Sequence, residues 1–438
     1  MTTYVSARTK EEWKSRSIYQ IVTDRFAKTT PGEKCDLVNY CGGTFEGIIE
    51  KLDYIKGMGF NAIMISPIVT NSERSYHGCN PIDFFKINSH FGTDESLKKL
   101  VDIAHENDIW VMLDVVVDHV GTMIYEDVNP FNKKEYYREE EPPFPPFKYD
   151  QEIIDGYTTY LSNRLKHEHK FVNYTLNEWI HKIVEYFDFD GIRIDSVPET
   201  PIWFWEQFRK SAGVFQMGEV FNGNPDYVSH YQHYLDSVIN YPLYFTIIDS
   251  FCGSMKYIER YIFSSYFEDP SVLGVFVENH DNPRFLSRCK DEKKFKNAII
   301  FSLMFQGIPI VYYGGEQMYN GGSDPLNREP LWPNYNTNSE MYIAIAAANK
   351  LRKEMKLWEQ PFMQRYSDDV FYAFTRGDNI LVALTRGEAC ERLITYHDFK
   401  DGDRLCNIFD LKDCITVEEG IINISMNTDP KIYVKQSN

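Results

Sequence analysis

Three carboxylic acids in this sequence each close a short strand-like run, and their types and spacing suit acid–base chemistry. They are Asp195, Glu219 and Asp281, with Arg193 two residues before the first and His280 directly before the last. Cleavage of a glycosidic bond needs one ionised carboxylate as a nucleophile and one protonated acid as a proton donor. Acids at strand ends also cap helices or pair with arginine, but that alternative explains one such site better than three.

Eight apolar runs predict the buried strands that would position these acids. They are Ser17–Phe26, Asn61–Ile68, Trp110–His119, Asp190–Val197, Phe215–Val220, Ser237–Tyr244, Leu273–Asp281 and Ile308–Glu316. Several lack polar alternation, which is typical of parallel strands covered on both faces. Segments with helical spacing, such as Gly47–Gly59 and Thr93–Asp108, lie between them. This alternation predicts an α/β protein with a closed (β/α)8 TIM barrel over residues 1–119 and 171–357.

Two further units are predicted beside the barrel. Residues 120–170 contain a proline-rich stretch and are too long for an ordinary loop, so we expect a small inserted domain after strand 3. After Leu357 the alternating runs Val370–Arg376 and Asn379–Thr385 predict antiparallel strands. Residues 358–438 are therefore expected to form a C-terminal antiparallel β domain, a β-sandwich.

The predicted barrel places the candidate residues at one site, because reactive groups lie at the C-terminal ends of such strands. Arg193 and Asp195 are two positions apart and share one side of their strand, so the guanidinium would keep the carboxylate ionised. Burial of Glu219 would raise its pKa and keep it protonated as a general acid. His119 and His280 are expected to be neutral donors to sugar hydroxyls.

Composition excludes some partners. The 438 residues include 46 Lys and Arg against 64 Asp and Glu, a net charge of −18. An acidic protein is repelled by nucleic acid and by anionic membranes, so neither is an expected partner. No signal peptide is visible at the N-terminus, and the apolar stretch Ala298–Tyr313 is too short to cross a bilayer. Cys35 and Cys41 bracket a polar loop and could form a short disulfide.

Four segments together resemble the signature regions of the α-amylase family of glycoside hydrolases, and in particular its fungal secreted members. They are Asp114–His119, Gly191–Asp195, Gly218–Val220 and Phe276–Asp281. The likeness covers nearly the whole chain and also includes Thr23–Phe26, Tyr40–Gly43 and Asn240-Tyr241-Pro242. The resemblance implies a monomeric, secreted enzyme that cleaves internal α-1,4-glucosidic bonds of starch, glycogen or maltooligosaccharides with retention, through a covalent glycosyl-enzyme.

The same resemblance implies a role for each candidate residue. Asp195 would be the nucleophile, Glu219 the general acid and then base, and Asp281 the transition-state stabiliser. Arg193, His119 and His280 would support the sugar in subsite −1. Asp324 and Arg328 would bind glucose further along the chain. For the last pair a simple ion pair in a loop is an equally good interpretation.

Two departures from the family pattern affect the substrate side. Cys79-Asn80 follows His77-Gly78 where the family has Tyr-Trp, so a stacking platform worth about 1 kcal/mol is missing and a weaker subsite −1 is expected. Pro198-Glu199 replaces a Lys-His pair whose Lys contacts the leaving-group side of the substrate in the family, so the acceptor preference is open. Two alternatives therefore stay open: a 4-α-glucanotransferase using the same nucleophile, and a catalytically silent glucan-binding protein on the same scaffold.

The family resemblance also implies a calcium site, which is altered in this sequence. The usual Asn is Asp118, the backbone carbonyl would come from Glu199, and the Leu-Pro-Asp of the inserted domain corresponds to Leu165-Lys166-His167. Calcium prefers several oxygen ligands, so Asp118 suits it and His167 does not. Calcium is thus a doubtful cofactor, and Lys166 is a candidate cation to replace it.

Overall fold

The computed structural model describes residues 8–30, 35–122, 124–138, 163–264, 266–332 and 334–436. Its strands are β1 Ile18–Ile21, β2 Ala62–Ile65, β3 Val69–Asn71, β4 Pro81–Ile87, β5 Trp110–Val115, β6 Gly191–Ile194, β7 Phe215–Gly218, β8 Ser237–Val238, β9 Gly274–Phe276, β10 Ile308–Tyr312, β11 Phe362–Ser367, β12 Phe371–Arg376, β13 Ile380–Thr385, β14 Cys390–Ile394, β15 Arg404–Asn407, β16 Asp410–Thr416, β17 Ile422–Met426 and β18 Lys431–Lys435.

Eight of these strands form one parallel sheet in the order β8-β7-β6-β5-β2-β1-β10-β9. The sheet closes on itself, because Ile239 bridges to Gly274 and the Asn240 amide donates to the Gly274 carbonyl at 2.9 Å. The barrel strands β1, β2, β5 and β6 are buried at every position, which explains their unbroken apolar sequences. The predicted eight-stranded barrel is therefore confirmed.

Helices alternate with the barrel strands. They are Lys10–Trp13, Thr23–Phe26, Phe45–Glu50, Leu52–Gly57, Asp94–Glu106, Lys170–Phe187, Ile202–Ala212, Pro225–Tyr231, Tyr241–Cys252, Lys256–Ser264, Phe285–Cys289, Glu292–Met304 and Glu340–Glu354. The predicted strand Ser237–Tyr244 is too long, because a helix begins at Tyr241. The Asn240 side chain accepts from the Leu243 amide and caps that helix, and Pro242 fits its first turn.

The predicted inserted domain lies partly outside the described residues, which do not include residues 139–162. The hairpin of β3 and β4, which sequence reasoning missed, comes before it. The returning segment runs beside the end of β5: His119 bridges to Arg164, and the Leu165 amide donates to the Asp118 carbonyl at 2.8 Å. This segment therefore brings inserted-region side chains to the same end of the barrel as the candidate acids.

The C-terminal strands are antiparallel, as predicted. Six form a sheet in the order β11-β12-β13-β18-β15-β16, and β14 pairs with β17. Their shared core includes Phe371, Leu405, Ile424 and Tyr433. The exact division into domains stays a prediction.

Three cysteine pairs are joined as disulfides: Cys35–Cys41, which confirms the predicted pair, Cys252–Cys289 and Cys406–Cys414.

Among the described residues, none of the helices has the length and apolar character that crossing a membrane would require.

Candidate active site

Three neighbouring barrel strands, β5, β6 and β7, and the more distant strand β9 deliver the charged residues of the site. The register aligns Asp114 on β5 with Arg193 on β6, and Arg193 with Met217 on β7. The Glu219 amide donates to the Ile194 carbonyl at 2.8 Å, so Glu219 sits one step beyond the sheet beside Asp195. Asp281 follows β9 on the far side of the barrel mouth. The predicted convergence of these side chains therefore has a structural basis in strand register.

Arg193 is the centre of this charge cluster. Its Nη1 donates to Asp195 Oδ1 at 2.7 Å and to Asp114 Oδ1 at 2.8 Å, and its Nη2 lies 2.8 Å from Glu219 Oε2. Asp281 Oδ2 is further away, at 3.9 Å. The Arg193 side chain is only 1% exposed. One buried guanidinium thus fixes two of the three catalytic candidates directly.

Asp195 is held in the ionised form. Burial opposes its ionisation, but the Arg193 guanidinium and the charge of His119 outweigh burial and keep the pKa of Asp195 below its ordinary value. Its amide donates to the Val115 carbonyl at 3.0 Å, which continues the β5–β6 ladder up to the carboxylate. A rigid, unprotonated carboxylate is what a nucleophile requires.

The pKa of Glu219 is shifted in the opposite direction to that of Asp195. Burial, reinforced by the negative charge of Asp195 and opposed by Arg193, raises the pKa of Glu219 to about 8. Tyr241 donates its hydroxyl to Glu219 Oε1 at 3.0 Å, and the Ser196 amide donates to Oε2 at 3.1 Å. Two carboxyl groups with pKa values driven apart are the arrangement expected of a nucleophile and a proton donor.

The backbone between these two acids is unusual. Ser196 follows Asp195 directly and has a φ of 47°, in the left-handed region that residues other than glycine seldom occupy. This conformation turns the Ser196 amide toward Glu219 Oε2. The strained turn therefore couples the position of the general acid to that of the nucleophile.

His280 is neutral, as predicted. The Gln20 side-chain amide donates to its Nδ1 at 3.0 Å, which leaves the ring proton on Nε2, 3.4 Å from Asp281 Oδ1. Burial lowers the pKa of His280 to about 4, against the opposing attraction of Asp281. Its Nε2–H can therefore donate to a hydroxyl placed near Asp281.

His119 differs from the neutral donor that was predicted. Its Nδ1 lies 2.9 Å from Asp118 Oδ1 and its Nε2 lies 2.8 Å from the Cys79 carbonyl oxygen. Both neighbours are acceptors, so both ring nitrogens carry protons. Burial alone would lower the pKa of His119, but Asp118 outweighs it and the pKa rises to about 9. His119 is thus a cation beside Asp195.

Asp324 and Arg328 form more than a loop ion pair. Arg328 Nη1 lies 3.2 Å from Asp324 Oδ1, its Nη2 lies 3.7 Å from Asp281 Oδ1, and its Nε donates to the His280 carbonyl at 2.9 Å. Tyr76 donates its hydroxyl to Asp324 at 3.1 Å, and the Arg25 guanidinium lies 3.6 Å from the Tyr76 ring centroid. Arg328 is buried while the Asp324 side chain is 54% exposed. Asp324 therefore extends this cluster away from Asp281 toward solvent.

Sequence reasoning missed three residues of the site. Asp114 shares Arg193 with Asp195, Tyr241 bonds Glu219, and His77 is electrostatically close to Asp195 and Asp281. Burial lowers the pKa of His77 to about 3, so it is neutral. All three stood in motifs visible in the sequence, but no role could be assigned to them there, and Tyr241 also lay in a run interpreted as a strand.

A closed parallel barrel with two carboxyl groups of opposite pKa shift at its C-terminal mouth is the arrangement expected of a barrel glycoside hydrolase. The family description "Alpha amylase, catalytic domain" matches residues 20–369. The chain is 35% identical to alpha-amylase 2 of Schwanniomyces occidentalis, covering 97% of this chain and 91% of that protein. It is 36% identical to the alpha-amylase of Saccharomycopsis fibuligera, with coverage of 97% and 92%. This protein belongs to the α-amylase family, which confirms the resemblance seen in its motifs.

Solved structures agree with this assignment. An alpha-amylase from Malbranchea cinnamomea superposes with a TM-score of 0.88 at 34% identity, covering 98% of this chain and 97% of that one. The alpha-amylase of Geobacillus thermoleovorans, solved with acarbose, gives 0.87 at 28% identity, with coverage of 97% and 99%. The chain is therefore an α-amylase-type glycoside hydrolase over almost its full length.

A bound calcium ion, which the family implies, does not fit the residues present. Asp118, His119 and Asp195 offer ligand atoms within 4.8 Å of one another. However, His119 has both nitrogens engaged with acceptors and presents no lone pair, and Asp195 already accepts from Arg193. His167 is fully buried and donates its Nε2–H to the Val117 carbonyl at 3.0 Å. These side chains already form hydrogen bonds with neighbouring protein groups, so few of their atoms remain free to coordinate a metal ion.

The opposite pKa shifts of Asp195 and Glu219 predict how the activity of the enzyme depends on pH. Glu219 must be protonated to act as an acid, so kcat/KM should fall tenfold per pH unit above about pH 8, where Glu219 loses its proton. Asp195 stays ionised down to a pKa below its ordinary value, so the acid limb should lie well below neutral pH. Initial rates on maltoheptaose across pH measure both limbs.

A maltosyl fluoride is the matched control, because its leaving group needs no proton. The alkaline limb should disappear when formation of the glycosyl-enzyme from this substrate is measured. An alkaline limb shared by both substrates would contradict the assignment of Glu219.

Proposed function

We propose that this protein is an endo-acting α-amylase that cleaves internal α-1,4-glucosidic bonds of starch, glycogen or maltooligosaccharides with retention of the anomeric configuration. The observation that carries this proposal is the Arg193 cluster, in which one guanidinium contacts both an ionised and a protonatable carboxyl group. Because the pKa of Asp195 is lowered and that of Glu219 is raised, these two groups can supply the nucleophile and the acid that a retaining glycosidase needs.

In the first step Asp195 attacks the anomeric carbon. Oδ1 is held by Arg193, so we assign the attack to Oδ2. As the bond between Asp195 and C1 forms, the bond from C1 to the glycosidic oxygen breaks, and that oxygen takes the proton of Glu219. The products of this step are a β-linked glycosyl-enzyme and a shortened glucan that leaves with a new hydroxyl group.

In the second step Glu219 acts as a base. Its carboxylate removes a proton from water, the water oxygen bonds to C1, and the bond to Asp195 breaks. Glu219 is thereby protonated again and Asp195 is again ionised. Two displacements at C1 restore the α configuration.

The remaining residues position the sugar. The Asp281 side chain is 33% exposed, against 13% for Asp195, so it faces the mouth of the site where sugar hydroxyls would arrive. His280 can donate to the same hydroxyls through Nε2. His119 contributes mainly charge, because its ring protons are directed at Asp118 and Cys79. Arg328 links Asp281 to Asp324, which would contact glucose further along the chain.

Product analysis on maltoheptaose tests the proposal and separates it from its alternatives. Hydrolysis gives shorter products alone, a glucanotransferase gives longer ones as well, and a glucan-binding protein gives none. Proton NMR during the first minutes should show the α anomer before mutarotation. An initial β anomer, or products longer than maltoheptaose as the main fraction, would contradict a retaining hydrolase.

Two further properties are part of the proposal. Three disulfides favour an oxidising compartment, so we propose that the enzyme is secreted. We also propose a monomer, which sedimentation equilibrium measures. The acidic surface fits a neutral glucan as the partner better than nucleic acid.

A further inference from the structure

An arginine lies in the segment that runs beside Asp118, the residue that the family resemblance implies as a calcium ligand. Arg164 lies in the returning segment, paired with His119 in a short antiparallel bridge. Its Nη1 forms an ion pair with Glu199 Oε2, and the two side chains are only 5% and 8% exposed. Glu199 comes from the turn after the nucleophile strand β6. A single side chain thus connects the inserted region to the catalytic strand.

The charges around this pair are already balanced. Asp118 and Glu199 are close enough to repel each other electrostatically, and Glu199 is attracted by Arg164 and, less strongly, by His119. Asp118 accepts from His119 through both oxygens, at 2.9 and 3.0 Å. A dication placed here would meet a guanidinium at short range, and buried like charges repel strongly.

The alternative cation considered from the sequence is placed differently. Lys166 is exposed, and its backbone amide donates to the Tyr136 carbonyl at 2.7 Å. The His167 ring packs edge-on against Phe204 with centroids 4.6 Å apart. Among the described residues of this segment, Arg164 is the one that forms an ion pair with Glu199.

We propose that Arg164 is a built-in replacement for calcium, tying the inserted region to the barrel through Glu199 so that stability is independent of calcium. This goes beyond the proposed function, because it concerns folding and does not depend on the reaction catalysed. The role of Arg164 is structural, because its ion pair holds Glu199 in the turn that follows Asp195.

The first test is thermal unfolding of the wild-type protein, followed by circular dichroism. An ion that binds only the native state raises the Tm as its concentration increases. We expect the Tm in a chelator and in about 1 mM calcium to agree within about 1 °C. A Tm that rises with calcium, or one calcium per chain retained after dialysis against low calcium, would overturn the proposal.

The second test removes the arginine. Arg164→Met leaves the Glu199 carboxylate buried without its cation and should lower the Tm by about 5 °C or more. Lys166→Met is the matched control and should change the Tm by no more than about 1 °C, because Lys166 is exposed. Equal stability of both variants with the wild type would show that Arg164 carries no such role.

The third test reverses the charge. Arg164→Asp gathers three carboxylates at Asp118, Glu199 and position 164, a ligand set that calcium prefers. We expect this variant to be unstable in a chelator and to recover several degrees of Tm in about 1 mM calcium. Stability of Arg164→Asp in a chelator would contradict the proposal. If this variant does not fold at all, the calcium titration of the wild type and the Tm of Arg164→Met still test the proposal. These readouts are unfolding temperatures, so they are independent of whether the enzyme hydrolyses or transfers glucan.

Discussion

Replacing Asp195 by Asn should reduce kcat/KM on maltoheptaose on the order of 10⁵-fold, the largest loss expected of any single substitution in this protein. The amide cannot form the glycosyl ester, and no other carboxylate replaces it, because Glu219 is held by Tyr241 and Ser196. Maltoheptaose binding, measured by calorimetry, should stay within about tenfold of the wild type, since shape and contacts are kept.

Two controls make this result specific. Asp249→Asn makes the same chemical change on an exposed helix position and should leave activity unchanged. Asp195→Gly with sodium azide and maltosyl fluoride should yield a β-glycosyl azide, because the azide attacks from the face that Asp195 occupied. Wild-type-like turnover by Asp195→Asn would rule out its role as nucleophile.

Replacing Glu219 by Gln should lower kcat on starch by roughly 10³-fold, the scale of a lost general acid and base. The amide has nearly the same shape, so contacts with Tyr241 and Ser196 are largely kept and glucan binding should persist. Maltosyl fluoride needs no acid, so formation of the glycosyl-enzyme should be much less affected. Rapid-quench kinetics with both substrates measure this difference.

Azide distinguishes the role of Glu219 from that of Asp195. In the Glu219→Gln variant azide should attack the glycosyl-enzyme in place of water and give an α-glycosyl azide, since it needs no base. A β-glycosyl azide from this variant would mean that the two roles have been assigned the wrong way round.

The barrel and its acids were predictable because they depend on local sequence. Asp195 and Glu219 end strands whose apolar runs are continuous, and burial on both faces requires such runs. Arg193 could be assigned to Asp195 from spacing alone, because alternate residues of a strand share a face. The chemistry therefore followed from patterns within a few residues of each acid.

Properties that depend on distant contacts were not predictable in this way. His119 owes its charge mainly to the adjacent Asp118, but the acceptor for its second ring proton is the Cys79 carbonyl, 40 positions away in sequence. The pairing of Arg164 with Glu199 joins an irregular segment to a turn after β6, and no periodicity marks either one. Lys166 was the candidate cation because it lies in the segment that corresponds to the family's Leu-Pro-Asp, but its side chain is exposed whereas that of Arg164 is buried.

The central claim is that Asp195 forms a covalent bond to the substrate, and mass spectrometry of a trapped intermediate tests it most directly. In Glu219→Gln treated with maltosyl fluoride, the first step proceeds and the second is slow, so the glycosyl-enzyme should accumulate. After acid quench and peptic digestion, one maltosyl group should be found on the peptide that contains Asp195. Release of fluoride with no labelled peptide, or a label on Asp281 instead, would contradict this account.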